Sequence, residues 1–155
     1  MLVPEQRIRD LCLENKCGNY DRHLMCPPRI GSIEDIGARL HSFRRGLLLQ
    51  YSRALDVSRD SEGLRRSKVY FHTGILQLEE LLRRQGLRRV WGLIGGPCEL
   101  CDVCLQQPDR PCPYPDKARI CFTAIAVDIL TFLNRLGLDN AFHAHKITWT
   151  GSILF

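Results

Sequence analysis

"RRVWGLIGGPCELCDVC", residues 88–104, runs from an apolar segment straight into a burst of thiols. Val90, Trp91, Leu93 and Ile94 lie between an arginine pair and a glycine pair. The run is short and apolar throughout, so residues 88–96 read as a buried strand. That strand delivers the chain directly into Cys98. A loop leaving the C-terminal end of a strand is a common ligand position in open α/β sheets.

Working upstream, Leu64, Phe71, Ile75, Leu78 and Leu82 form one helical stripe, which predicts a helix over 62–85 stopped by Gly86. Residues 54–63 form a polar loop, and "GLLLQYS", 46–52, reads as a second buried strand. In "SIED", Ser32 is an N-cap with Asp35 at the third helical position, a capping-box variant. Ile33, Ile36, Leu40 and Phe43 then predict a helix over 33–43. Pro4 opens a short helix ending before Cys12. Downstream, Pro115 opens a helix carrying Ala118, Phe122, Ile125, Ile129 and Phe132, closed by Gly137. "KITWTGSILF", 146–155, reads as a strand, with a hairpin bent at Gly151 as the alternative. The expected fold is a single α/β (or α+β) domain over 1–155. Three to five strands form a small mixed β-sheet, helices pack against it, and two cysteine-rich metal-binding loops project from it.

A chain of 155 residues with 45% hydrophobic and 25% charged residues is the size and composition of one globular domain, not of a disordered protein. No apolar run reaches the length of a membrane span, and "MLVPEQRIRDLC" lacks the apolar core of a signal peptide. The expected location is cytoplasmic, where thiols stay reduced. Eight cysteines there read as metal ligands or redox groups rather than a disulfide framework. The net charge of +5 comes largely from arginines, several in pairs such as Arg83-Arg84 and Arg88-Arg89. They are mixed with Asp and Glu and lack the interleaved aromatics of a nucleic-acid surface, so they read as solvated faces. A modestly basic chain suits an anionic thiolate-bound cluster.

Cys98, Cys101 and Cys104 form Cys-x2-Cys-x2-Cys, and Cys112-Pro113 follows after seven residues. Such a loop can wrap a [4Fe-4S] cluster, each sulfur reaching a different iron, and iron–sulfur ferredoxins use the same triple followed by Cys-Pro at a shorter spacing. Zinc is the alternative, although structural zinc favours two separate Cys hooks and leaves one thiol of a triple surplus. The first group, Cys12-x4-Cys17-x8-Cys26-Pro27-Pro28, has a weakly diagnostic spacing. Gly18 and Asn19 permit tight turns, and the prolines stiffen the exit from Cys26. Beside the second group, a shared or second metal centre is the better reading, with three unrelated thiols as the alternative. Cys121 reads as a small packed hydrophobe on the Pro115 helix. His23, the nearest imidazole, reads as an exposed loop residue, and His143 and His145 as surface residues. Tyr20, Tyr114, Trp91 and Asp128 read as structural. The chain has no phosphate-binding glycine loop and no Ser/His/Asp elbow.

"KCGNYDRHLMCPPRIGSIEDI" and "GLIGGPCELCDVCLQQPDRPCPYPDKAR" together resemble a family of small predicted metal-binding proteins, domain of unknown function 2284. The family pattern is a cysteine-rich start ending in Cys-Pro-Pro, then Gly-Pro-Cys-x2-Cys-x2-Cys and Cys-x-x-Pro-x-Lys-Ala-Arg. The resemblance covers about residues 10–155. It implies Cys12, Cys17, Cys26, Cys98, Cys101, Cys104 and Cys112 as the metal-binding set, and it implies no particular reaction. After "KAR" the chain departs from the family: Ile120 and Cys121 stand where Pro and Ser are usual, and Ala126 replaces a glycine.

Seven thiolates supply one full four-iron ligand set and three of a second. The leading expectation is a module with one or two [4Fe-4S] clusters that transfers electrons with a redox partner protein. An alternative is an enzyme using an iron left open at the incomplete set, where a small-molecule ligand binds. The remaining alternative is a zinc-stabilised interaction module. Neither a membrane nor nucleic acid is an expected partner.

Overall fold

The computed structural model describes residues 2–104 and 111–155. Part of the predicted cluster loop, residues 105–110, falls outside them. The elements are α1 (Gln6–Leu13), α2 (Ile33–His41), β1 (Gly46–Ala54), α3 (Ser61–Arg84), β2 (Trp91–Ile94), β3 (Ile120–Cys121), α4 (Ile129–Arg135) and β4 (Lys146–Leu154). The fold class is mixed α/β, as the sequence predicts.

The strands form one sheet in the order β1-β4-β2-β3. β4 pairs antiparallel with both β1 and β2, while β2 and β3 run parallel through Leu93↔Ile120 and Ile94↔Cys121. Side-chain alternation along β2 divides the core in two. Trp91 and Leu93 face Ile36, Leu40, Phe122, Ile125 and Val127. Ile94, with Ile153 of β4, faces Phe71 and Ile75 of α3. The sheet is therefore covered on both faces, and β2, the strand leading to Cys98, is buried along its whole length.

Local chemistry accounts for most of the boundaries. Ser32 and Asp35 form a full capping box at α2. Asp60 caps α3 by accepting from Gly63 N at 2.7 Å, and Gly86, at φ 91°, ends it.

Two expectations and one alternative are overturned. β1 is largely exposed rather than buried, because it is an edge strand with β4 as its sole neighbour. β4 is continuous through Gly151 with no hairpin, because both of its edges are paired. A Cβ at Gly151 would sit 2.7 Å from Leu93 O and 3.0 Å from the Phe71 ring, so the glycine serves close packing rather than a bend. The helix from Pro115 does not form. Residues 120–121 pair with β2, a turn follows through Ala126 at φ 64°, and Asp128 caps α4 by accepting from Thr131 N at 3.0 Å. Apolar residues three or four apart describe this strand-turn-helix as well as they describe one helix, and pairing with β2 decides between them.

Parallel neighbours need a crossover, usually a helix. Between β2 and β3 the chain instead runs through residues 95–119, the second cysteine loop. Among the described residues this connection holds no α-helix, only turns such as the one in which Ala118 N donates to Tyr114 O at 2.9 Å.

Gly92 sits where α3 approaches β2 most closely. A Cβ there would overlap Glu79 Oε1 and stand 2.6 Å from Ile75 Cγ2. Gly92→Ala is expected to cost at least 1–3 kcal/mol through overpacking, roughly the range for inserted methyl groups in tight cores. Urea denaturation of the apoprotein reads this, and an unchanged midpoint would contradict the close approach.

Candidate metal centre

The first cysteine segment begins on a helix rather than a loop. α1 extends through Cys12 to Leu13, and Arg9, one turn earlier, anchors it by donating to Ala124 O at 2.8 Å and Gly31 O at 2.7 Å. Glu5 N donates to Ala126 O at 2.7 Å, and Pro4 bridges Val127. α1 is thereby pinned onto the turn that follows β3. The chain then reverses through Asn15 at φ 50° and Gly18 at φ 71°, with Asn15 Oδ1 accepting from Tyr20 N at 3.0 Å. This brings Cys17 to the surface and leads to Cys26, which is buried. The Pro27–Pro28 peptide is cis.

α3 grips the second loop. Lys68 Nζ donates to Glu99 Oε1 at 2.7 Å with the lysine side chain only 7% exposed, and Arg65 pairs with Asp102 at 2.7 Å. Lys68 also lies 5.3 Å from the Trp149 ring centroid, and Trp149 Nε1 donates to Ser67 Oγ at 2.8 Å. Further along, His72 Nε2 meets Lys117 O at 2.9 Å. At the helix's far end, buried Glu79 accepts from Arg119 Nε at 2.8 Å, from Arg83 and from Gly92 N. These contacts fix both ends of the loop, at β2 and at Arg119 just before β3.

His23 joins the two cysteine segments. It is buried, 5% exposed, not the exposed loop residue the sequence suggests. Met25 N donates to His23 Nδ1 at 3.0 Å, so the proton must sit on Nε2, which donates to Cys98 O at 2.8 Å. Burial pushes its pKa down, which keeps the ring in this neutral form. With both nitrogens engaged, the imidazole acts as a latch and does not offer a lone pair to a metal. Leu24 N adds a 3.5 Å contact to Cys104 Sγ. Asn19, Arg22 and His23 share one cleft with Cys98, Cys101 and Cys104. His23→Ala leaves a buried carbonyl and a buried N–H unpaired, and is expected to cost about 1–3 kcal/mol. Thermal melting of the apoprotein checks this, and an unshifted transition would rule the latch out.

The thiols divide by their electrostatic neighbours. Burial pushes Cys12 up to about 11, with Cys121 and then Cys17 adding to the rise. Cys26 is pushed up to about 12, first by burial, then by Cys121, Cys17, Cys12 and Cys104. Burial also raises Cys98, with Cys104 and Cys112 as its thiol neighbours, while Leu100 and Arg119 direct backbone hydrogen bonds at its sulfur. In the metal-free protein these are therefore thiols at neutral pH, and metal binding must displace their protons. Among the described residues no group of three or more Cys, His, Asp or Glu forms a ready-made single-ion site.

Cys121 lies on β3 rather than on a helix. Its sulfur accepts backbone hydrogen bonds from Ala124 and Thr123, and Cys17 is its thiol neighbour. It was the signal most easily misread, since its apolar neighbours imitate a helical stripe. Lys68, His72 and Glu79 also went unremarked in the sequence. They lie at three- and four-residue steps from Phe71 and Ile75, on the same buried face of α3. Among the described residues no helix is long and apolar enough to cross a membrane. His143 and His145 lie exposed at the surface, as expected.

A family model described as a predicted metal-binding protein (DUF2284) matches the chain over residues 1–155, and the chain belongs to that family. No curated protein and no solved structure matches it.

Proposed function

We propose that this member of a predicted metal-binding family carries [4Fe-4S] clusters on its cysteine segments and exchanges electrons with a partner protein in the cytoplasm. The observation that carries the reading is the crossover from β2 to β3. Among the described residues no α-helix lies between those strands, and Cys98, Cys101, Cys104 and Cys112 are spaced along that segment. Ligation of four thiolates supplies the cross-links that a helix would supply as hydrogen bonds.

The donor set fits such a cluster. The ligands are soft sulfur, and backbone N–H groups of Leu100 and Arg119 point at Cys98 Sγ, the kind of contact that tunes cluster potential. A cluster bound there supplies one-electron transfer at a potential set by its surroundings. The chain contributes positioning: His23 holds the two segments together, and Lys68, paired with Glu99, ties the second segment to α3.

Anaerobic purification tests the reading. Brown protein is expected, with iron and sulfide in near-equal amounts and a paramagnetic signal on reduction. Colourless protein that binds only zinc after anaerobic reconstitution would overturn it in favour of a zinc-stabilised interaction module. Cluster spectra that change on adding small ligands would instead point to an enzyme with an open iron.

A further inference from the structure

Building on the iron–sulfur reading, we infer that Cys121 is the fourth thiolate of a second centre, formed with Cys12, Cys17 and Cys26. The chain would then present two complete four-thiolate sets, the other being Cys98, Cys101, Cys104 and Cys112, with no iron left open.

The argument begins with backbone placement. Cys121 ends β3, held in register by Ile94 of β2. The turn that follows it carries the acceptors that pin α1: Ala124 O receives Arg9, Ala126 O receives Glu5 N, and Val127 bridges Pro4. Cys12 lies one helical turn beyond Arg9 and is thus brought toward the same turn. Arg9 also holds Gly31 O at 2.7 Å, which ties down the chain just beyond Cys26 and its cis Pro27–Pro28 peptide. Three segments distant in sequence therefore meet at Cys121.

Cys12 and Cys26 each have Cys121 as a neighbouring thiol at this junction. Cys17 is the thiol neighbour of Cys121 itself. Backbone N–H groups from Thr123 and Ala124 reach the Cys121 sulfur, as those of Leu100 and Arg119 reach Cys98. Donors aimed at sulfur stabilise a thiolate and recur around metal-bound ligands. Leu24 N, two residues before Cys26, reaches Cys104 Sγ at 3.5 Å, so the two sets adjoin at that point.

The test uses the full chain, reconstituted anaerobically with iron and sulfide, as wild type, Cys121→Ala and the near-isosteric Cys121→Ser. Both variants are expected to hold about half the wild-type iron and sulfide, with an unchanged far-ultraviolet circular dichroism spectrum, because one of two four-iron sites is lost. Wild-type iron content and an unaltered paramagnetic spectrum in both variants would overturn the inference. Cadmium titration, followed by thiolate-to-metal absorption, separates this outcome from failure of the iron–sulfur reading. If wild type takes up no iron–sulfur cluster, that reading fails, while cadmium absorption lower in Cys121→Ala still supports the four-thiolate set and equal absorption overturns it.

Discussion

Glu79→Ala is expected to destabilise the fold by about 3–5 kcal/mol, the range seen when one partner of a buried ion pair is removed. Glu79 is fully buried and binds three things at once: the Arg119 guanidinium, Arg83 and the backbone N–H of Gly92. Alanine would leave Arg119, itself 9% exposed, as a buried charge bonded to the carbonyls of Asp116 and Ala118 but without its carboxylate. It would also strip the N–H of a core strand of its acceptor. Burial works to raise the Glu79 carboxyl pKa, but the hydrogen bonds and charge of Arg119, helped by Arg83, outweigh it and hold the carboxyl below its ordinary value. The stability gained from ionised Glu79 is therefore present above roughly pH 4.5 and lost as pH falls through the lowered pKa of the folded state. Urea denaturation of the apoprotein at neutral pH should show the full loss. Glu79→Gln should behave nearly as badly, since it keeps the shape and an acceptor for Gly92 but not the charge that Arg119 requires. A change below about 1 kcal/mol would mean that the pair is replaceable by solvent, as exposed pairs are.

Cys98→Ala is expected to remove the cluster on the crossover, taking about half of the total iron if the chain carries two clusters and nearly all if it carries one. Cys98 is the first thiol after β2, and its carbonyl receives His23 while its sulfur receives two backbone N–H groups. The carbonyl contact to His23 survives the substitution, so loss of iron would report on the sulfur rather than on the latch. Among the described residues, 95–104 and 111–119 hold no α-helix, so the variant should also be cut faster within that segment by limited proteolysis. Wild-type iron content together with wild-type protease resistance would remove the second loop from the proposed cluster.

The buried strand before Cys98 was legible because a short apolar run between arginines and glycines has few other fates. The α2 capping box was equally legible, because its hydrogen bonds join residues only three apart. β1 was misjudged for a different reason: its apolar residues look the same whether one side of the strand is covered or both. On α3 the apolar stripe was read correctly, but three polar residues on the same face were not. Their burial depends on partners that lie far along the chain: Glu99 for Lys68, Lys117 for His72 and Arg119 for Glu79.

The sequence by itself pointed to metal binding through thiols. The thiol spacing in 98–112 and the Cys-Pro-Pro segment are local patterns, and ligand geometry along one loop is set by covalent reach. Only the tertiary structure decided which thiols keep company. Cys12 is carried toward Cys121 because α1 is hydrogen-bonded to the turn after β3, and β3 is placed by pairing with β2. That arrangement depends on contacts more than a hundred residues apart, which no local spacing records. It converts a cysteine that resembled packing on a helix into the neighbour of three others.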